Sequence, residues 1–279
     1  MKILISGCNG YIGKHVCHYA SSIGLDVITV SRGENIFQYS NYHKIDLLEN
    51  AENQNLFNEL GRPNVFIHLA YNDGFSHNAD SHLKDLYKHF CLIKNMVNHG
   101  CNSISVMGTM HEIGFYEGIV DETTQCHPMN FYGIAKNALR ESLINYLKDK
   151  KCFFKWLRAF YITGDDKNNH SIFSKILHME EEKKEFFPFT DGLNKYDFID
   201  VDILAKQIVL ASIQNEYNGI INVCSGKPQS LKDAVNNFIK NNNLQIRPEY
   251  GAFPSRPYDS RIIYGNNEII EKIMQQNDE

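Results

Sequence analysis

With 279 residues, the chain can hold one large α/β domain and a smaller appended lobe. Its 43% hydrophobic and 22% charged residues are ordinary for a soluble globular protein, and a net charge of −5 leaves no basic face for a nucleic-acid polymer. Seven scattered cysteines without a Cys-x-x-Cys pair argue against a disulfide framework or a zinc site and suit reduced thiols in a cytoplasmic protein, and no run of 18 apolar residues suggests a membrane span.

Short apolar runs alternate with longer amphipathic ones through the first two-thirds of the chain. Strands are predicted at 2–6, 27–30, 44–46, 65–70, 103–107 and 153–160, and helices at 11–23, 50–60, 82–98 and 131–148. Strands separated by helical patterns imply right-handed βαβ units and an α/β, Rossmann-type, doubly wound parallel sheet. Past residue 160 the alternation becomes irregular, with helices predicted at 171–184, 203–213 and 231–240 and a strand at 220–223. The expected organisation is a dinucleotide-binding domain over 1–160, then mainly a small substrate lobe over 161–279, with some segments returning to the first domain. The charge run at 180–184 reads as a solvated helix end.

Gly7-Cys8-Asn9-Gly10-Tyr11-Ile12-Gly13 follows the first strand and opens the first helix. In this Gly-x-x-Gly-x-x-Gly spacing the first glycine permits the tight turn, the second lets backbone N–H groups approach a pyrophosphate, and the third allows close helix–strand packing. The helix N-terminus adds partial positive charge at the phosphates. The second strand runs into Ser31-Arg32, where a site preferring NAD(H) usually has a carboxylate. A hydroxyl and a guanidinium suit a 2′-phosphate, so NADP(H) is favoured over NAD(H). Asp46, after the third strand, is expected at the adenine.

Tyr132 and Lys136 lie at i, i+4 near the start of a long helix, which puts phenol and ammonium on one face. A Lys⁺ one turn away is expected to lower the tyrosine pKa, so that Tyr132 can exchange a proton with a carbonyl or hydroxyl oxygen. Thr109, leaving the fifth strand, is positioned to hydrogen-bond that oxygen. His77, Asn78, His82 and His89 lack the spacing of a metal set, so no metal is expected. His77 and Asn78 read instead as polar groups near a substrate or, equally, as surface or capping residues, and His111 either faces the substrate or does not. Phe186, Phe187 and Phe189 read either as core or as a platform for a base.

The Gly7/Gly10/Gly13 loop, His68-Leu69-Ala70, Thr109, Tyr132/Lys136, Arg158, residues 197–202 and residues 222–226 resemble the extended short-chain dehydrogenase/reductases over nearly the whole chain. Most members of that family act on nucleotide-activated sugars. Residues 72–78 and 108–114 look like a subgroup that reduces nucleotide-linked 4-keto-6-deoxyhexoses, the dTDP-6-deoxyhexose 4-dehydrogenases/reductases. The resemblance implies a cofactor cradle formed by Gly7, Asn9, Gly10, Tyr11, Ile12, Gly13, Ser31 and Arg32. Asp46, Leu47, Leu69, Ala70, Tyr71, Lys136, Phe160 and Ile162 are expected to complete it. Asn72, His77, Asn78, His111, Tyr161 and Arg256 are expected at the nucleotide sugar, with Arg256 on its pyrophosphate or ribose.

The chain departs from the pattern in three places. Thr109 is followed by Met110 and His111, where dehydratases of the family carry Asp-Glu, so the acid and base for water elimination are missing. Ile113-Gly114 stands in place of Tyr-Gly, and Tyr161 in place of the usual asparagine. The expected activity is NADPH-dependent reduction of a 4-keto sugar. A 4-epimerase with tightly bound NAD is the enzyme alternative, and a dinucleotide-sensing protein the non-enzyme one. The resemblance also implies a homodimer through two long helices. One of these carries Ala135, Leu139, Leu143 and Leu147 on a stripe that could equally be a core face.

Overall fold

The computed structural model describes residues 1–164, 171–254 and 259–277. The first half runs β1 (Lys2–Ser6), α1 (Tyr11–Ser22), β2 (Asp26–Ser31), β3 (Tyr42–Lys44), α2 (Leu56–Glu59), β4 (Val65–His68), α3 (Ser81–Asn98) and β5 (Ser103–Thr109). A single 3₁₀ turn at Met110–Glu112 leads to β6 (Gly118–Val120), α4 (Phe131–Leu147), β7 (Phe153–Ala159) and β8 (Tyr161–Thr163). Then come α5 (Ile172–Glu181), β9 (Phe186–Pro188), β10 (Lys195–Asp200), α6 (Val201–Ile213), β11 (Gly219–Val223), β12 (Pro228–Ser230) and α7 (Leu231–Asn241). The chain closes with β13 (Arg247–Glu249), β14 (Ile262–Gly265) and α8 (Glu268–Gln275).

Seven strands form one parallel sheet in the order β11-β7-β5-β4-β1-β2-β3. The burial of β1 explains why it sits centrally: Ile3, Leu4 and Ile5 are all fully buried, as an apolar run covered on both faces must be. Ile3 and Ile5 face α1, α6 and α8, whereas Leu4 faces α3 and α4, following the two-residue period of a strand. The stripe Ala135, Leu139, Leu143 and Leu147 is buried within this chain, so it is a core face. A smaller sheet in the order β12-β10-β14-β6, with β8 paired to β10, and a β13-β9 pair make up the rest of the strand pairing. Phe187 and Phe189 are buried in a cluster with Phe173 and Val235, while Phe186 is exposed.

Three expected elements shift. The helix expected over 50–60 shrinks to α2, because Asn95 of α3 donates its amide to the carbonyls of Ala51 and Asn53, fixing that segment as turns. The third strand lies at 42–44 rather than 44–46, since Asp46 accepts the N–H groups of Leu48 and Glu49 and starts a turn. β4 stops at His68 because the Ser6 hydroxyl takes the N–H groups of both Leu69 and Ala70 at 3.1 Å. Glu180, in the charge run, is a tether: its carboxylate accepts the N–H groups of Gln245 and Ile246.

β10 and β11 are joined through Asp197, which is completely buried. Its carboxylate accepts from the N–H and hydroxyl of Ser225, from Gly226 N–H and from Gly265 N–H. Four donors satisfy a charge that would otherwise be costly to bury. Among the described residues no helix is long and apolar enough to cross a membrane. Asp197→Ala leaves those donors unpaired and should lower stability by about 3 kcal/mol, read from the midpoint of urea unfolding.

Candidate active site

The strand order reverses beside β1, so the turns after β1 and β4 leave the sheet in different directions and open a crevice at its carboxyl edge. Gly7 takes φ +71°, and a Cβ there would lie 2.9 Å from Ala70 N. A Cβ on Gly13 would lie 2.0 Å from the Gly7 carbonyl oxygen, so the helix packs directly onto the turn. A Cβ on Gly10 would meet only that same carbonyl, at 3.1 Å, which leaves its outer side open. Gly10 is also the N-cap of α1 and has no side chain to cover the helix end. This cradle fits a dinucleotide pyrophosphate.

The other expected cofactor residues are placed as follows. Asn9 donates its amide to the Ser31 hydroxyl at 2.8 Å, and the Ser31 oxygen also meets the Tyr42 hydroxyl and Gly33 N–H. Arg32 is exposed, and Glu34 pairs with Lys44. The Tyr11 hydroxyl lies against Gly164. Ile12, Leu69 and Ile162 pack on the core around β1, while the Leu47 and Phe160 side chains are buried in neighbouring clusters.

At the crevice, Lys136 is 4% exposed and donates to the Met107 carbonyl at 2.7 Å. Its ammonium sits 3.7 Å from the centre of the Tyr71 ring and 6.0 Å from that of Tyr132. Tyr132 is edge-on to Tyr71, stacked on His77 at 5.6 Å and edge-on to His111 at 5.8 Å. The Thr109 side chain is near enough to favour its ionised form. Electrostatically the site departs from expectation. Burial pushes the Tyr132 phenol up to about 12, outweighing the effect of Thr109. Burial also pushes Lys136 down to about 7, opposed by Glu112. The lysine faces Met107 and Tyr71, so desolvation outweighs the charge effect that the i, i+4 spacing suggested. His111 is lowered to about 4, first by burial and then by His77, and is neutral at pH 7.

Of the expected substrate residues, His77, Asn78 and His111 lie beside Tyr132 or the start of α4. His77 and His111 are 4.3 Å apart between ring centres. The His77 carbonyl accepts Tyr132 N–H, and Asn78 accepts Phe131 N–H, so both tie this loop to the start of α4. Asn72 donates to Asp85 on α3. Tyr161 packs against Tyr196, with ring centres 4.6 Å apart and the planes tilted by 35°. Arg256 lies outside the described residues. Among the described residues no three metal-ligating side chains converge.

Two groups of residues were not foreseen. Ser6, His68 and His89 form a hydrogen-bonded chain with 2.8 Å at each step. Glu112, completely buried, accepts from Thr109 N–H at 2.7 Å and from the Trp156 indole at 2.9 Å, and faces Arg140 and Arg158 at 3.8 Å. The Thr109-Met110-His111-Glu112 spacing is that of a capping box, a signal readable in the sequence.

A glycine cradle at a switch point beside a Thr/Tyr/Lys cluster defines a nicotinamide-dinucleotide oxidoreductase of the extended short-chain dehydrogenase/reductase type. Residues 3–224 match the model of the NAD dependent epimerase/dehydratase family, and the chain belongs to that family. It is 42% identical to a dTDP-6-deoxy-L-talose 4-dehydrogenase (NAD(+)) of Aggregatibacter actinomycetemcomitans, over 95% of this chain and 99% of that one. It is 25% identical to a probable UDP-arabinose 4-epimerase 3 of Oryza sativa subsp. japonica, over 95% of this chain and 75% of that one. The fold matches that of a Thermotoga maritima UDP-glucose 4-epimerase with UDP-glucose (TM-score 0.81, 20% identity, 98% of this chain and 92% of that one).

The lysine pKa carries a stability consequence. An unfolded chain holds the Lys136 proton to about pH 10, whereas the folded chain releases it near 7. Unfolding therefore takes up a proton between those values, so stability rises with pH across that window and the penalty is full below it. Lys136→Met should stabilise the cofactor-free protein at pH 6 by about 1–3 kcal/mol, read from urea unfolding, and the gain should shrink towards pH 10.

Proposed function

We propose that the chain interconverts the 4-keto and 4-hydroxyl groups of a dTDP-linked 6-deoxyhexose, acting as a 4-keto reductase in deoxysugar biosynthesis. The observation that carries this reading is the convergence of Thr109, Tyr132 and Lys136 beside the glycine cradle, in a chain so similar to a dTDP-sugar 4-dehydrogenase. When bound, the nicotinamide supplies or accepts the hydride at C4. Burial keeps Tyr132 protonated at neutral pH, the form that can donate to a carbonyl oxygen as it gains charge. Thr109 orients that oxygen. Lys136, buried and pinned by Met107, holds the dinucleotide ribose. His77 and His111, uncharged at pH 7 and flanking Tyr132, offer hydrogen bonds to sugar hydroxyls. Asn72, Asn78, Tyr161 and Arg256 are further proposed substrate ligands, Arg256 on the pyrophosphate.

For the cofactor we propose NAD(H) in place of the NADP(H) expected from Ser31-Arg32. The Ser31 hydroxyl is already engaged by Asn9, Tyr42 and Gly33, and Glu34 brings a carboxylate to the turn where a 2′-phosphate would lie. The NAD(+) in the relative's name supports the same choice.

The proposed assembly is a homodimer. α3 and α4 pack together and leave Leu83, Tyr87, Ile134 and Ile144 exposed. Light scattering should give about twice the 32.2 kDa chain mass, and Tyr87→Glu should shift it towards the monomer. The seven free cysteines suit a reducing cytoplasm.

Tyr132→Phe should cut kcat by about 10²–10⁴-fold while dinucleotide affinity changes little. The assay is reduction of a dTDP-4-keto-6-deoxyhexose with NADH and NADPH in parallel, with NMR of the product. Turnover of a dTDP-hexose without added cofactor would favour the epimerase alternative. Cofactor binding with no turnover on any keto sugar would favour a sensor.

A further inference from the structure

Tyr71 makes more contacts to the Tyr132/Lys136 pair than a residue lining a cofactor needs. It lies three residues past the end of β4, and its ring centre is 3.7 Å from the Lys136 ammonium. The Tyr71 and Tyr132 rings pack edge to face, with centres 5.4 Å apart and 68° between the planes. The ring is fixed in turn by two histidines of α3. His89 stacks on it at 5.0 Å and His82 at 5.5 Å, each at 15°. Both histidines are almost completely buried. His82 is anchored on the Ser76 carbonyl and His89 on His68, which is bonded to Ser6 at the foot of the glycine turn. The orientation of Tyr71 is therefore set from α3 and from β1 together.

A buried ammonium needs partners to remain charged. Around Lys136 these are few. β5 supplies the Met107 carbonyl, and the turn after β5 supplies Glu112 at longer range. α4 supplies Tyr132, an uncharged phenol at neutral pH. From β4 and α3 come His68 and His89, both kept neutral by burial, so neither adds positive charge beside the lysine at working pH. The Tyr71 face, with its negative quadrupole, is the remaining stabiliser.

We propose that Tyr71 is a positioning residue for the proton-transfer pair: its ring face seats the Lys136 ammonium while the same ring braces that of Tyr132. This rests on the reading that Tyr132 and Lys136 carry the reaction. A phenylalanine keeps both ring contacts, whereas the smaller, non-aromatic leucine has neither. The charged lysine is the working form, so its loss sets the alkaline limb of the rate profile.

The test measures kcat and KM from pH 5.5 to 9.5 for wild type, Tyr71→Phe, Tyr71→Leu and Tyr132→Phe. Tyr71→Leu should lower kcat about tenfold, with a smaller change in KM for the sugar nucleotide. Its alkaline limb should move about one unit towards lower pH, as expected when a desolvated cation loses an aromatic face. Tyr71→Phe should recover most of that loss. Because Tyr71→Leu could disturb folding, phenylalanine at 71 carrying one, two and three ring fluorines provides a series of constant shape and weakening face. The alkaline limb should fall stepwise along it. An unshifted limb in the fluorinated series, or Tyr71→Phe as impaired as Tyr71→Leu, would overturn the proposal. If Tyr132→Phe kept the wild-type rate, the catalytic assignment itself would fail. If Tyr132→Phe were inactive and the fluorinated series flat, only the role of Tyr71 would be lost.

Discussion

The crevice exists because two turns from adjacent strands touch through their backbones. Gly7 and Ala70 approach so closely that no side chain fits between them, and the Ser6 hydroxyl stitches the turns by taking the N–H groups of Leu69 and Ala70. Those two N–H groups would otherwise be unpaired where β4 ends. Ser6 also bonds His68, which bonds His89, so one hydroxyl links the glycine turn, the β4 end and α3. The position of Tyr71 relative to Lys136 follows from this anchoring.

The second fixed point is Glu112. A carboxylate with no exposure is held by Thr109 N–H, the Trp156 indole and two guanidinium groups. Burial pushes its pKa up, and Arg158, Thr109, Arg140 and Trp156 pull it back down. Arg140 lies on the same helical repeat as Lys136 and Tyr132, four and eight residues back respectively. One carboxylate therefore ties the face of α4 bearing the proton-transfer pair to the strand end bearing Thr109. Where dehydratases of this family use acid and base side chains after that threonine, this chain has Met110 and His111, and its carboxylate one position later is spent on structure.

What could be read in the sequence was whatever depends on local spacing. The glycine turn, α1, α3, α4 and the central strands follow from runs and periods within a dozen residues, and Tyr132 and Lys136 share a face because helices repeat. The short strands β6, β8, β9 and β12–β14 have three or four residues each, too few for a period to register, and exist by pairing with distant partners. The helix expected over 50–60 failed for the same reason, since the competing hydrogen bonds came from Asn95, more than forty residues away. Glu112 lies between these cases. Its capping-box spacing with Thr109 was legible, but its arginines and indole arrive from other elements.

The sign of the electrostatics was the least legible feature, and it changes how the site must work. Spacing alone suggests an ammonium that acidifies its neighbouring phenol. In the folded chain both groups are driven towards neutrality, the phenol up to about 12 and the lysine down to about 7, because each loses water and neither is the other's main partner. The protein thus holds the proton donor in its protonated form but keeps the lysine close to the point of losing its charge. Whatever enters the crevice with negative charge, as a dinucleotide pyrophosphate does, shifts that balance towards the ammonium by Coulomb attraction in a poorly hydrated site. The Tyr71 face and the Met107 carbonyl keep the lysine in place while the crevice is open. Full charging of the lysine is therefore coupled to cofactor entry and is not a fixed property of the fold.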